Sequence, residues 1–209
     1  MNIWKHMARL KCLGDFMRIL CFGDSNTWGD VSETEARLEN RWPVLVQKAF
    51  VEFTIIEEGL CGRTFNSETN QERSEGLNGF SYFVPCVNSH DPVDVLFLAL
   101  GCNDSKLYYN KDGAQIYADA MTYVSFLQKE YPHIKVFFIL PANIREPTKW
   151  PIFKGGNTKL NEFAELIISH NHPHIDARDL AVGEDGIHLT IESHKKLAER
   201  VCKVLLEIQ

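Results

Sequence analysis

The chain is expected to be an α/β protein with a parallel sheet covered by helices on both faces, on three observations. Short apolar runs that read as strands alternate with longer stretches of helical periodicity. The run Val93 to Leu100 is apolar at nearly every position, which suits a central strand buried on both faces. The runs that end at Gly23, Gly101 and Pro141 stop at residues that let or force the chain to leave a strand sharply.

Taken in order, Ile19 to Phe22 is a short buried strand that breaks at Gly23-Asp24-Ser25. Trp42 to Phe50 has helical spacing, with Pro43 tolerated in a first turn. Phe53 to Glu57 reads as a second strand, followed after Glu58 by Gly59-Leu60-Cys61-Gly62. A polar stretch from Asn66 to Asn78 is loop-like, and Phe80 to Val87 is a short helix before Asp91-Pro92. After the central strand, Ala114 to Lys129 is helical and Val136 to Leu140 is a further strand. Residues 142 to 156 hold two prolines, Trp150 and a glycine pair, and read as a long surface loop. Leu160 to Ile168 is a helix, Ile175 to Ala177 a brief strand, and Ile191 to Ile208 a closing helix. Residues 17–209 form a single expected domain, with residues 1–16 an extension outside its core.

Composition narrows the function classes. At 209 residues the chain can bury a full core without disulfide or metal staples. Its 28 acidic and 22 basic residues give a net charge of −6 with no basic block, so neither nucleic acid nor an anionic membrane surface is an expected partner. The six cysteines are scattered without a Cys-x-x-Cys pair and are expected to be reduced. The first 14 residues are interrupted by Lys5, His6, Arg9 and Lys11 and do not read as a signal peptide. No apolar run approaches the ~20 residues of a membrane span. A cytoplasmic location is the resulting expectation.

Three blocks at turns and strand ends carry the chemistry, and a fourth lies near the end of the chain. Gly23-Asp24-Ser25 presents a serine at the carboxyl end of a strand, where open α/β sheets bind ligands. Asp185-Gly186-Ile187-His188 places an orienting carboxylate one turn of chain from an imidazole suited to reversible proton transfer. If that ring reaches Ser25, a nucleophile, a base and an orienter are joined. Leu100-Gly-Cys-Asn-Asp104 offers the Asn103 amide, and Gly59-Leu-Cys-Gly-Arg-Thr64 offers the unobstructed N–H of Gly62. With the Ser25 N–H, these are three donors for a developing oxyanion.

These four blocks, in this order and spread from Ser25 to His188, resemble the SGNH (GDSL-type) hydrolases. The runs RILCFGDSNTWG, IEEGLCGRT, LGCNDSK and DGIHLT are similar to the microbial arylesterase/acyltransferase branch of that family. The resemblance implies a flavodoxin-like three-layer α/β/α sandwich with a five-stranded parallel sheet. It implies Ser25 as nucleophile, His188 as base, Asp185 as orienter, and Ser25, Gly62 and Asn103 as the oxyanion hole. The implied activity is a serine esterase acting on short-acyl or aryl esters through an acyl-enzyme, without cofactor or metal. Acyl transfer to an alcohol and deacetylation of carbohydrates are the alternatives. The implied partner is a small-molecule ester, and further copies of the chain are left open. Two positions depart from the pattern: Asn26 replaces an apolar residue after the serine, and Thr190 stands where many members have proline.

Plainer roles are open for other residues. Asp24 and Asp104 are expected to brace the turns holding Ser25 and Asn103, and Cys61 and Cys102 to be small buried packing residues. Asn26 and Trp28 flank the nucleophile and are candidate substrate contacts. Arg63 is either a substrate contact or an internal ion pair. Trp150 and Phe153 suit a pocket wall and a core equally. His170, His172 and His174 alternate, but Pro173 interrupts them, and a loop running into a strand is expected there in place of a metal site.

Overall fold

The computed structural model describes residues 16–31, 36–68 and 75–208. The expected extension over residues 1–16 lies almost wholly outside these, as does Cys12. Five parallel strands form one sheet: β1 (Arg18–Gly23), β2 (Thr54–Gly59), β3 (Val95–Ala99), β4 (Lys135–Leu140) and β5 (His174–Asp176). Their spatial order is β2-β1-β3-β4-β5. This is the flavodoxin-like order, and its direction of winding reverses between β1 and β3.

Among the described residues, five helices lie between the strands, α1 (Ser25–Trp28), α2 (Trp42–Ala49), α3 (Gly79–His90), α4 (Gly113–Glu130) and α5 (Gly156–Ser169), and α6 (Ile191–Ile208) follows the last strand. Strand side chains alternate between two apolar layers, as the two-residue period of a strand requires. Leu20, Phe22, Leu96, Leu98, Phe138 and Leu140 face a core shared with α3, α4 and α5. Ile19, Cys21, Val95, Phe97 and Ile139 face a second core, filled by Trp42 and Val46 of α2 and by Leu197 and Val201 of α6. The three-layer expectation holds. The inner strand β3 is buried along most of its length, whereas every residue of the edge strand β2 is only half-buried.

Several boundaries differ from expectation for local reasons. The helix α5 starts four residues before Leu160, because Gly155 takes the left-handed conformation at its cap and Gly156 lies against Ser105 and Ile144. The glycine pair therefore begins a helix here and does not extend the loop. A 3₁₀ turn (Pro151–Phe153) interrupts the 142–156 loop. The helix α3 runs on to His90 despite Pro85 inside it. The three histidines form the expected loop and strand: His170 stacks on Tyr117, and His172 Nε2 lies 3.0 Å from the Tyr117 hydroxyl. Cys21, Cys61, Cys86, Cys102 and Cys202 are free thiols. No helix among the described residues is long and apolar enough to cross a membrane.

Candidate active site

The two strand ends that flank the winding reversal carry the first half of the site. At the end of β1, the Asp24 carboxylate accepts the Asn26 N–H at 2.9 Å and caps the single turn α1. Ser25 sits at the start of that turn and is buried. Gly23 is needed at this corner because any Cβ there would overlap Thr27. At the end of β3, Gly101 has φ 116°, and the chain turns into Asn103. The Asn103 amide nitrogen donates to the Arg63 carbonyl at 3.1 Å, which fixes the amide plane and leaves its second N–H free to meet an oxyanion. Asp104 accepts from the Phe65 N–H at 3.0 Å and the Ser67 hydroxyl at 2.8 Å, so it ties β3 to the chain after β2. Both aspartates brace turns, as expected.

The second half arrives 163 residues later in sequence. His188 Nε2 lies 2.9 Å from Ser25 Oγ, and His188 Nδ1 lies 2.5 Å from Asp185 Oδ2. The other Asp185 oxygen accepts the backbone N–H groups of Ile187 at 2.8 Å and His188 at 3.0 Å. Burial opposes the Asp185 charge, but the His188 ring and these N–H groups outweigh it, and the carboxyl titrates below its ordinary range. Burial likewise opposes a charged His188 ring; Asp185, Asp30 and Asp24 prevail, and the ring titrates above an ordinary histidine. Asp24 is pushed up to about 6, chiefly by burial.

The loop bearing Asp185 and His188 is braced from the 142–156 segment. Arg145 N–H donates to the Gly186 carbonyl and Lys149 N–H to the Asp185 carbonyl, each at 2.9 Å. Gly186 has φ 82°, and a Cβ there would lie 2.4 Å from the Arg145 carbonyl oxygen. A segment expected to be mere surface loop thus holds the base in place.

Ser25, Gly62, Asn103 and His188 line one groove of about 240 Å³ together with Asp30, Cys61, Cys102, Lys106, Trp150, Ile152, Phe153 and Ile187. Gly62 has φ 86°. Trp150 and Phe153 form part of the wall, as one of their two expected roles requires. Cys102 is buried, but Cys61 is exposed, which corrects the expectation that both are buried.

Three candidate substrate contacts lie elsewhere. The Asn26 side chain accepts the Leu189 N–H at 2.8 Å, so it fastens the base loop to the nucleophile turn. Arg63 is buried, donates to the carbonyls of Gly23 and Glu58, and lies 4.2 Å over the Phe22 ring. Trp28 packs under the Arg37 guanidinium and lies against Gly59. None of these three lines the groove. Four groove residues escaped sequence reasoning: Asp30, Lys106, Ile152 and Ile187. Asp30 reaches His188 only because Gly29 turns left-handed at φ 90° and brings the chain back over Ser25.

The arrangement can activate a hydroxyl, hold an oxyanion and protonate a leaving group, which is the requirement for acyl transfer. The GDSL-like lipase/acylhydrolase family matches residues 21–196. The chain belongs to this family. A solved aryl esterase from M. smegmatis is 31% identical, with 92% of this chain and 100% of that one covered at a TM-score of 0.80. A carbohydrate acetylesterase from Sinorhizobium meliloti is 29% identical over 92% of this chain and 100% of its own, at a TM-score of 0.79. No curated relative matches the sequence. This member of the GDSL-like family is a carboxylic ester hydrolase.

Proposed function

We propose that the protein hydrolyses short-acyl or aryl esters through an acyl-enzyme on Ser25. The observation that carries the reading is the continuous contact from Asp185 through His188 to Ser25 Oγ beside two groove-lining donor residues. Ser25 Oγ attacks the ester carbonyl while His188 Nε2 takes its proton, and Asp185 stabilises the resulting imidazolium. The oxyanion is held by the Ser25 and Gly62 N–H groups and the free N–H of Asn103. The carbon–oxygen bond to the alcohol breaks as His188 returns the proton to the departing oxygen. Water, deprotonated by the same nitrogen, then attacks the acyl carbon; the bond from that carbon to Ser25 Oγ breaks, Oγ takes the proton back from His188, and the carboxylic acid leaves.

The groove of about 240 Å³ lies below the usual range of ligand pockets, which favours a small acyl group. Likeness to a carbohydrate acetylesterase gives a second reading, acetyl esters of sugars. The apolar wall of Trp150, Ile152 and Phe153 also favours an alcohol competing with water for the acyl-enzyme.

Ser25→Ala is expected to lower p-nitrophenyl acetate turnover by at least about 10³-fold and to abolish fluorophosphonate labelling. Near wild-type turnover in that variant sinks the assignment. Acetate release from acetylated sugars in the same assay decides between the two substrate readings.

A further inference from the structure

In this groove the base has a second carboxylate beside it. Asp30 Oδ2 lies 3.6 Å from His188 Nε2, the ring nitrogen that also contacts Ser25 Oγ. Asp185 occupies the other ring nitrogen, so the orienting role is already filled. Among the described residues the Asp30 carboxylate meets no lysine or arginine; its remaining side-chain contact is the Cys61 thiol at 3.8 Å. Cys61 is exposed as a residue, but partial desolvation of its thiol first, and then the Asp30 charge, push the thiol up to about 12, so it stays neutral. The Asp30 side chain is about one-quarter exposed and lines the groove, where a substrate can reach it.

The position has a chemical meaning. A departing alcohol oxygen must lie within hydrogen-bond reach of His188 Nε2 to collect its proton. The Asp30 carboxylate is next to that same nitrogen, so substituents one or two carbons from the departing oxygen pass close to a fixed negative charge. The groove's own cation, Lys106, is engaged differently: its ammonium lies 5.4 Å from the centre of the Phe153 ring and 5.9 Å from that of Tyr108. Charge is thus supplied separately at the base and at the aromatic wall.

We propose that Asp30 is a specificity residue that reads the charge of the departing alcohol, so that esters of alkylammonium alcohols are preferred over neutral isosteres. The proposal rests on the acyl-enzyme reading of the same site. It requires no added step, since the carboxylate acts through space on the leaving group and gives up no proton.

The test compares 2-(trimethylammonio)ethyl acetate with its uncharged isostere, 3,3-dimethylbutyl acetate, in wild type and in Asp30→Asn. At low ionic strength kcat/KM is expected to favour the cationic ester by about ten-fold, a size set by one partly screened charge pair. Raising salt to about 0.5 M should shrink the preference, because Asp30 is open to solvent. In Asp30→Asn the two esters should come within about two-fold of each other, since a charge-free amide leaves no pairwise Coulomb attraction. A wild-type ratio near one overturns the proposal, and so does a ratio that survives the substitution. Should the variant not fold, the wild-type ratio and its salt dependence decide alone. Loss of the underlying reading would look different: Ser25→Ala would still turn over both esters.

Discussion

Asn26 joins two parts of the site that the chain itself keeps far apart. Its backbone N–H is taken by Asp24 and its side-chain oxygen takes the Leu189 N–H, next to the base. Asn26→Leu removes that acceptor while nearly keeping the volume. His188 would then lose one of its restraints, and small misplacements of a catalytic group are costly in rate. We expect kcat to fall by about ten-fold with KM little changed, measured by steady-state kinetics on p-nitrophenyl acetate. An unchanged kcat would mean that the 142–156 brace suffices on its own. Sequence reasoning noticed Asn26 for its polarity and assigned it to substrate. Its actual partner is a backbone N–H 163 positions away, and no local pattern marks such a pairing. Asp30 was missed for the same reason, whereas the order of the blocks singled out Ser25, Asp185 and His188, which the fold brings into contact.

Strand ends were legible at β1 to β4 alike. The inner strands β1, β3 and β4 appear in the sequence as apolar runs, and the structure moves their ends by two residues or fewer. The edge strand β2 is half-buried throughout, yet its ends also move by only one and two residues from Phe53 and Glu57. Its last residue is a close contact between elements. A Cβ on Gly59 would lie 2.2 Å from the Trp28 backbone nitrogen and 2.6 Å from its Cα, both in α1. Neither atom can turn aside as a flexible side chain would. Gly59→Ala should therefore cost about 1–3 kcal/mol, as overpacking does, and displace the nucleophile turn. Urea unfolding together with turnover checks this, and a stable, fully active variant would contradict it.

Across the molecule, the second apolar core contains a titrating group. His194 of α6 is fully buried and its Nδ1 accepts the Trp42 N–H of α2 at 3.3 Å, while its Nε2 has no hydrogen-bond partner among the described residues. Burial first, then the charges of His188 and Arg41, push it down to about 4. The unfolded chain binds this proton near the ordinary value of about 6.5, so between there and about 4 unfolding takes up a proton and stability falls with acid. The lost stability is at most about 3 kcal/mol. His194→Asn keeps an acceptor for Trp42 without titrating in this range. Its urea midpoint should fall less than that of wild type between pH 7 and pH 5, and an equal fall would reject the assignment.

The chain order of the site has a consequence for biosynthesis. In the proposed mechanism the nucleophile and the groove-lining oxyanion donors come from residues 25–103, but the base and its orienter come from the loop immediately before α6. A nascent polypeptide holding four of the five strands therefore carries an idle serine. On the proposed mechanism, hydrolytic competence comes only after the final loop has emerged and docked, so the appearance of ester turnover is expected to time the completion of the fold.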